Sequence, residues 1–191
     1  MNKWKVAFFL LAALIITAVI GLAIWITRPA PSADIPAAEA MTKEADRLTV
    51  TATKEDLQGI ANTYIAKAIG SNKIPIDLFI EDDVLLTSEL TVFAVRLPVI
   101  MHFEPSVLED GNLILKQKSV EVGNLNIPPS TVLKLMGDTV ALPSWMIVRP
   151  KEEELFIDLS RLPVSGDVKV RATKIDLPGN DIELEIMIPR K

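Results

Sequence analysis

The residues of this chain whose types could support chemistry are few and scattered. His102 is the only histidine, and it lies in a strand-like segment without the second histidine of an HExxH or HxxxH metal motif. The chain has no cysteine, which excludes a thiolate nucleophile, disulfide bonds and a lipidated N-terminal cysteine. The sequence therefore predicts neither a zinc site nor cysteine chemistry.

Serine catalysis also lacks its sequence pattern. No G-x-S-x-G segment occurs, and Ser130 and Ser144 each follow a proline at a cap or turn position. The 8 glycines stand at the ends of elements, so no glycine-rich phosphate loop is formed. We predict no catalytic residue and no cofactor, and an enzyme is the least favoured hypothesis.

Two acidic runs, at residues 81–83 and 152–154, are the remaining polar candidates. Neither has the ligand spacing of a calcium loop, so both are interpreted as solvated turns. Nothing singles out a pair for glycoside hydrolysis among the 25 acidic residues. We predict no metal site.

The apolar residues allow two interpretations. They form either an ordinary packed core or a groove between a helix and a curved sheet that accepts acyl chains, with methionines adapting its shape. The candidate groove residues are Leu57, Ile60, Tyr64, Phe93, Met101, Phe103, Met136, Trp145 and Met146.

One long amphipathic helix is predicted to carry part of this groove. Thr53 has the residue type of an N-cap and Asp56 follows three positions later. Apolar residues then recur at helical spacing, Gly70 can end the helix, and Gln58, Asn62 and Lys67 are assigned to the other face. The apolar positions are Leu57, Ile60, Ala61, Tyr64, Ile65 and Ala68.

Alternating segments indicate strands on both sides of one further short helix. A turn is predicted at residues 109–112, a bulge or ordinary surface residues near 116–119, and a bend or an edge strand at Pro98. The short helix opens at residues 128–130 and ends at Gly137. The predicted strands are residues 48–53, 74–80, 84–97, 98–104, 113–122, 145–148, 154–159, 168–175 and 182–188. The fold class is α+β, with the long helix packed on a curved, mostly antiparallel sheet.

The N-terminal segment 6–26 is apolar throughout and spans roughly 30 Å as a helix, the thickness of a bilayer core. Lys3 and Lys5 precede it without an acidic residue, which places the N-terminus in the cytoplasm and exports the rest. A cleaved signal peptide is the alternative, with cleavage near residues 32–33 or 38–40. We assign residues 1–28 to a cytoplasmic stub and transmembrane anchor, 29–47 to a Pro/Ala linker, and 48–191 to an extracytoplasmic domain.

The net negative charge of that domain argues against two classes of partner. Three of the 20 basic residues precede Pro29, which leaves 17 bases against 25 acids and a charge near −8. This balance argues against nucleic acid, which requires clustered lysine and arginine, and against nonspecific adhesion to anionic headgroups.

Several segments together resemble the YpmS family of membrane-anchored proteins of Gram-positive bacteria. The resemblance covers nearly the whole chain: the anchor, the Pro/Ala linker, the helix TKEDLQGIANTYIAKAI, the segment ELTVFAVRLPVIMHFEPSVLEDGNLILKQKSVEVGNLNIPPSTVLKLM, and PSWMIVRP. The same order resembles, more distantly, the tubular lipid-binding (TULIP, BPI-like) domains, in which a long helix packs into a curved antiparallel sheet. That second resemblance implies that lipid tails lie in the seam between helix and sheet.

The favoured hypothesis is a non-catalytic domain that binds a membrane lipid or a lipid-linked precursor of the cell envelope near the outer leaflet. The alternative is an interaction module that docks an envelope enzyme or assembly, with a fully packed interior. The tether, the helix-plus-sheet pattern and the missing catalytic motifs motivate the first.

Overall fold

The computed structural model describes residues 3–27, 33–36, 45–69, 75–92, 95–123, 127–140, 142–164 and 167–190. The chain divides into two units, residues 1–30 and residues 31–191. The helices of the described residues are α1 (Lys3–Thr27), α2 (Lys54–Ile69), α3 (Pro129–Thr139) and a 3-10 helix at Leu159–Arg161. The strands are β1 (Ala45–Ala52), β2 (Ile76–Ile80), β3 (Val84–Val92), β4 (Val95–Val107), β5 (Leu113–Val122), β6 (Met146–Arg149), β7 (Glu154–Ile157), β8 (Lys169–Asp176) and β9 (Asp181–Pro189).

The first unit contains α1, a helix of 25 residues. Its segment Lys3–Gly21 is long and apolar enough to cross a membrane, and a signal sequence near an N-terminus has the same composition. The predicted apolar N-terminal helix is therefore present.

The second unit is α+β, as predicted, and its strands form two antiparallel sheets. The large sheet has the order β2-β3-β4-β5-β7-β6, and the small sheet has the order β1-β9-β8. In the small sheet, β1 pairs with β9 from Ala45 opposite Pro189 to Ala52 opposite Ile182. Regular pairing thus begins at Ala45, three residues before the domain start assigned from the sequence, because the ladder with β9 continues that far.

An ion pair closes the open end of the small sheet. The Nε of Arg190 donates to Oδ1 of Asp46 at 2.9 Å. This hydrogen bond is the main reason that the pKa of Asp46 lies below its ordinary value and that of Arg190 above it. The pair holds the last described residue of the chain beside the start of β1.

The β4–β5 hairpin confirms the predicted turn and the predicted bulge. The N–H of Leu108 donates to the carbonyl of Asn112 at 2.9 Å. His102 pairs with Ser119 while Phe103 pairs with Gln117, so Lys118 is the extra residue of a β-bulge. Because of the bulge, Leu113, Leu115 and Gln117 share a sheet face with Val120 and Val122.

One prediction about this region is wrong, and so is one of the two alternatives given for Pro98. The segment 84–97 is not one strand, because β3 and β4 pair with each other from Val84 opposite Phe103 to Val92 opposite Val95. β4 is not an edge strand, since it lies between β3 and β5. Pro98 is tolerated there because it lies just beyond the last β4–β5 pair, Val99 with Val122.

α2 begins where the sequence predicts, at a reciprocal cap. The hydroxyl of Thr53 donates to Oδ2 of Asp56 at 2.8 Å and accepts from the N–H of Asp56 at 3.2 Å. The predicted end at Gly70 lies outside the described residues. Leu57, Ala61 and Tyr64 pack against the buried core, and Ile65 belongs to it.

α3 starts at Pro129, but it does not end at Gly137. It continues to Thr139, where the N–H of Val140 donates to the carbonyl of Met136 at 2.9 Å. A Cβ on Gly137 would lie 3.6 Å from Cβ of Val148. This is an ordinary van der Waals distance, so a Cβ would fit here, and Gly137 is an interior residue of the helix rather than its end.

The core lies on one face of the large sheet, here called the inner face. It carries alternate residues of each strand, including Leu78 and Ile80 of β2, and Met101 and Phe103 of β4. Phe79, which alternates with these residues, is 40% exposed. The period-two prediction for β2 is confirmed by this contrast.

Candidate functional site

A cavity of about 150 Å³ lies between α2 and the inner face of the large sheet. All eighteen lining side chains are aliphatic, aromatic, proline or methionine, so the cavity offers hydrophobic contact almost alone. They are Leu57, Ile60, Ala61, Tyr64, Ile65, Leu78, Ile80, Val84, Pro105, Leu113, Leu115, Trp145, Met146, Ile157, Leu159, Leu162, Ile175 and Leu177.

Five of the nine residues predicted from the sequence meet in this large cavity: Leu57, Ile60, Tyr64, Trp145 and Met146. The rings of Tyr64 and Trp145 pack edge to face, with centroids 6.5 Å apart. Trp145 is 8% exposed, whereas Ile60 is 50% exposed. The lining therefore runs from a buried indole to a side chain in contact with solvent.

A second, smaller cavity of about 70 Å³ lies under α3 and contains two more of the predicted residues. Met101 of β4 and Met136 of α3 line it from opposite sides. Ser88 and Glu89 give part of its lining a polar character. Glu89 is exposed, and Arg96 lies within ion-pair distance of it at 3.8 Å.

The two cavities follow one another along the same strands of the inner face. On β4, Val99 and Met101 line the small cavity and Pro105 lines the large one. On β5, Val122 lines the small cavity, and Leu113 and Leu115 line the large one. The predicted groove residues thus lie along one sheet face in two successive spaces.

Phe103 and Gln117 separate these spaces. They are opposite each other in the register of β4 and β5, and neither lines either of these two cavities. Phe103 is fully buried in the core and Gln117 is 7% exposed. The sequence prediction assigned Phe103 to the groove wall, but the structure places it in the partition. Phe93 lies outside the described residues.

Sequence reasoning missed Gln117, although the chain carried a signal for it. It stands two positions after Leu115, on the apolar side of a strand, where a polar residue is an exception. Because of the neighbouring bulge, the apolar positions of β5 switch from odd to even numbers. The sequence pattern therefore places Gln117 among the irregular residues of the strand rather than on its apolar face. Among the described residues, neither the Oε1 nor the Nε2 atom of Gln117 has a hydrogen-bond partner.

Polar side chains hold α2 against the edge of the large sheet. The amide of Asn62 binds both the N–H and the carbonyl of Leu78, and Oε1 of Gln58 accepts from the N–H of Ile80 at 2.9 Å. The assignment of Gln58 and Asn62 to a face pointing away from the core is therefore wrong. They lie beside the apolar stripe and bind the otherwise open edge of β2.

The surface next to Ile60 and Tyr64 is a shallow depression with charged residues around it. Glu55, Asp56 and Lys67 belong to it. The Nζ of Lys67 lies 5.7 Å from the ring centroid of Tyr64, within the range of a cation–π contact. The exposed flank of α2 thus joins the apolar cavity to a polar surface.

The only histidine lies on the other face of the large sheet. Its Nδ1 is 3.0 Å from Oδ2 of Asp83. Ser119 is opposite His102 in the strand register, but no hydrogen bond joins the two side chains in the described structure. No cluster of three or more possible metal ligands occurs among the described residues.

One of the two acidic runs differs from the solvated turn that was predicted for it. Asp82 is exposed and pairs with Lys54 at 3.5 Å, as expected for a surface turn. Glu154 instead is 8% exposed, which contradicts that prediction. It begins β7, and burial is tolerated because its carboxylate binds the guanidinium of Arg149.

Comparison with known proteins gives a family match and one curated relative. A family model described as "Uncharacterized protein conserved in bacteria (DUF2140)" matches residues 2–188. A protein of Bacillus subtilis (strain 168), described as "Uncharacterized protein YpmS", is 31% identical over 191 residues, which is the full length of both chains. No solved structure matches the chain.

Proposed function

Since the chain belongs to the DUF2140 family, whose description states no activity, we propose its function from the site: it binds the acyl chain of a membrane lipid. In this proposal α1 anchors the protein once in the cell membrane, with its N-terminus in the cytoplasm. The domain then lies outside the cytoplasm and binds a lipid or a lipid-linked envelope precursor without catalysing a reaction.

The single observation that supports the proposal most is the entirely apolar lining of the large cavity. An apolar cavity of this volume can hold a molecule of the size of benzene. About six carbons of one chain would therefore fit, rather than a whole lipid. Each buried methylene contributes about 0.8 kcal/mol relative to water.

The position of the cavity supports entry along the exposed flank of α2. Gln58 and Asn62 fix one flank of the helix to β2. The other flank carries Ile60, which is 50% exposed and lines the cavity. A chain end would enter beside Ile60 and Tyr64, and its headgroup would stay on the polar surface that includes Lys67.

Quenching of Trp145 by lipids with brominated acyl chains tests this proposal on the full chain in vesicles. Trp4 and Trp25 are first replaced by Phe, which leaves Trp145 as the only tryptophan. We expect brominated chains to quench Trp145 because its ring lines the cavity.

Two variants separate occupation of the cavity from simple contact of the domain with the vesicle. Ala61→Phe places a ring in the cavity and should abolish quenching, whereas Ala66→Phe adds the same ring on the exposed face of α2 and should not. Equal quenching in both variants, or none in the parent, contradicts the proposal.

Protein docking is the second candidate, and one observation favours it. Leu48 of β1 is 55% exposed and Ile188 of β9 is 46% exposed, and both lie on the same face of the small sheet. Crosslinking in intact cells from this face, and from no other, would favour docking of an envelope protein.

A further inference from the structure

Gln117 is a buried amide without a partner in a domain whose other inner-face residues are almost all apolar. It is 7% exposed, and both Oε1 and Nε2 lack a hydrogen bond among the described residues. A buried donor and acceptor left unpaired destabilise a folded protein, because both lost their hydrogen bonds to water. Such a group is a site where a ligand can supply what the protein does not.

The location of Gln117 connects this amide to the two cavities. It stands opposite Phe103 in the strand register. Along β4, Phe103 lies between Met101 of the small cavity and Pro105 of the large one; along β5, Gln117 and Val120 lie between Val122 of the small cavity and Leu115 of the large one. A ligand that extended from one cavity to the other along the sheet would pass this amide.

Burial alone gives such a site little selectivity. A chain that moves from a bilayer into an apolar cavity exchanges one hydrocarbon environment for another. A hydrogen bond made in the cavity, by contrast, distinguishes ligands strongly when the protein group is otherwise unpaired. The unpaired amide is therefore the feature that can select among chains.

We propose that the two cavities form one binding tract, and that Gln117 binds a neutral amide or hydroxyl group of a long-chain ligand at the partition. The inference rests on the proposed lipid-binding function. The Nε2 of Gln117 donates and its Oε1 accepts, so a group that does both complements it, whereas an ester oxygen only accepts. A charged group would be unpaired beside Gln117, because no charged residue lines the large cavity and Glu89, which lines the small one, lies within ion-pair distance of Arg96.

Displacement of brominated-chain quenching from Trp145 provides the test, on the full chain in vesicles. The probes are oleamide, whose neutral amide end can enter the cavity ahead of its chain and so reach Gln117, and octadecene, a hydrocarbon of equal chain length. We expect oleamide to displace the brominated chain at about tenfold lower concentration than octadecene does. Gln117→Leu should abolish this difference by weakening oleamide alone.

Thermal unfolding without added ligand gives an independent readout. Gln117→Leu should raise the midpoint, since it replaces an unpaired amide with an apolar side chain of similar size. Gln58→Leu is the matched control: its amide accepts from the N–H of Ile80, so its loss should lower the midpoint. If Gln117→Leu does not fold, Gln117→Met is measured in its place.

The outcomes separate this inference from the function on which it rests. No quenching by any brominated chain overturns the lipid-binding proposal and this one with it. Quenching with equal displacement by oleamide and octadecene overturns only the role of Gln117. A lowered midpoint for Gln117→Leu, as for Gln58→Leu, would show that its amide already has a partner, such as a bound water, and overturns the inference as well.

Discussion

Asn62 binds the main chain of Leu78 through both ends of its side-chain amide. Its Nδ2 donates to the carbonyl of Leu78 at 2.7 Å, and its Oδ1 accepts from the N–H of the same residue at 2.9 Å. A helix side chain thereby takes the place that a neighbouring strand would have at the edge of the large sheet. Covering an edge in this way also prevents its pairing with another chain.

Asn62→Ala should lower the free energy of unfolding by about 1–3 kcal/mol, because it leaves two main-chain groups of a buried residue unpaired. Denaturant unfolding measures the change. Thr63→Ala is the control on the neighbouring position, since the Thr63 hydroxyl binds only the carbonyl of Gly59 in its own helix. Similar losses in both variants would mean that the pair with Leu78 contributes nothing.

The cap of α2 should make stability depend on pH at the acid side. The hydroxyl and N–H of Thr53 donate to Asp56 and keep the pKa of its carboxyl below the ordinary value. The stabilisation is therefore present above the pKa of the unfolded carboxyl and is lost as the pH falls through the lower, folded value. Asp56→Asn should flatten this part of the stability profile measured by thermal unfolding. Glu55→Gln, which removes a carboxylate from the same helical turn, should leave it in place.

Gly111→Ala should destabilise the join between the sheets. Gly111 has φ of 82°, and a Cβ there would lie 2.5 Å from Cβ of Arg171. Its carbonyl accepts from the N–H of Ala172 in β8 at 2.8 Å. The left-handed conformation alone costs about 1–2 kcal/mol for alanine, and the clash adds to it.

Gly59→Ala gives the opposite sign and serves as the control for Gly111→Ala. Gly59 lies within α2, and a Cβ there meets no atom within 4 Å. Alanine should raise the free energy of unfolding by about 0.5–1 kcal/mol through its higher helix propensity. If Gly111→Ala raises the free energy of unfolding as Gly59→Ala does, the clash with Arg171 does not destabilise the protein.

Phe103→Ala should cost about 3–5 kcal/mol, because a fully buried ring is lost from the partition between the cavities. Phe79→Ala, on a ring that is 40% exposed, should cost about 1–2 kcal/mol. Urea unfolding compares the two. A smaller loss at Phe103 than at Phe79 would mean that the partition collapses without leaving a void.

The absence of cysteine makes the proposed membrane orientation directly testable. Glu109→Cys, at an exposed turn of the domain, should react in intact cells with a maleimide that cannot cross the membrane. Asn2→Cys should react only after permeabilisation, and the labelled band should have the mass of the full chain. A shorter product labelled at residue 109 would instead indicate a cleaved signal peptide.

The sequence predicted local elements well where the physical signal was local. The cap from Thr53 to Asp56, the turn after Leu108 and the bulge at Lys118 all depend on residues a few positions apart. Contacts between residues that are far apart in the chain were not predicted. The helical pattern placed Gln58 and Asn62 outside the apolar stripe. It could not show that the open edge of a strand lies within hydrogen-bond distance of them.

At the candidate site, too, local patterns were predicted and features that depend on distant residues were not. Helical and strand periodicity identified apolar residues that line the two cavities, such as Tyr64 and Met136. It could not place Phe103 in the partition, because that requires the register of β4 against a bulged β5. The curvature of the sheet and the likeness to tubular lipid-binding domains stay predictions.

The pairing of β1 with β9 sets the order in which this domain can be completed. Asp46 and Arg190 are 144 positions apart, so β1 has left the ribosome long before its partner is made. Within the described structure β1 has no other strand beside it. Pairing between residues so far apart in the chain closes a long loop, which slows folding, and the small sheet can close only after β9 has been made. Because β9 is the only strand beside β1 in the described structure, loss of that one ladder would detach the whole of β1 from the small sheet.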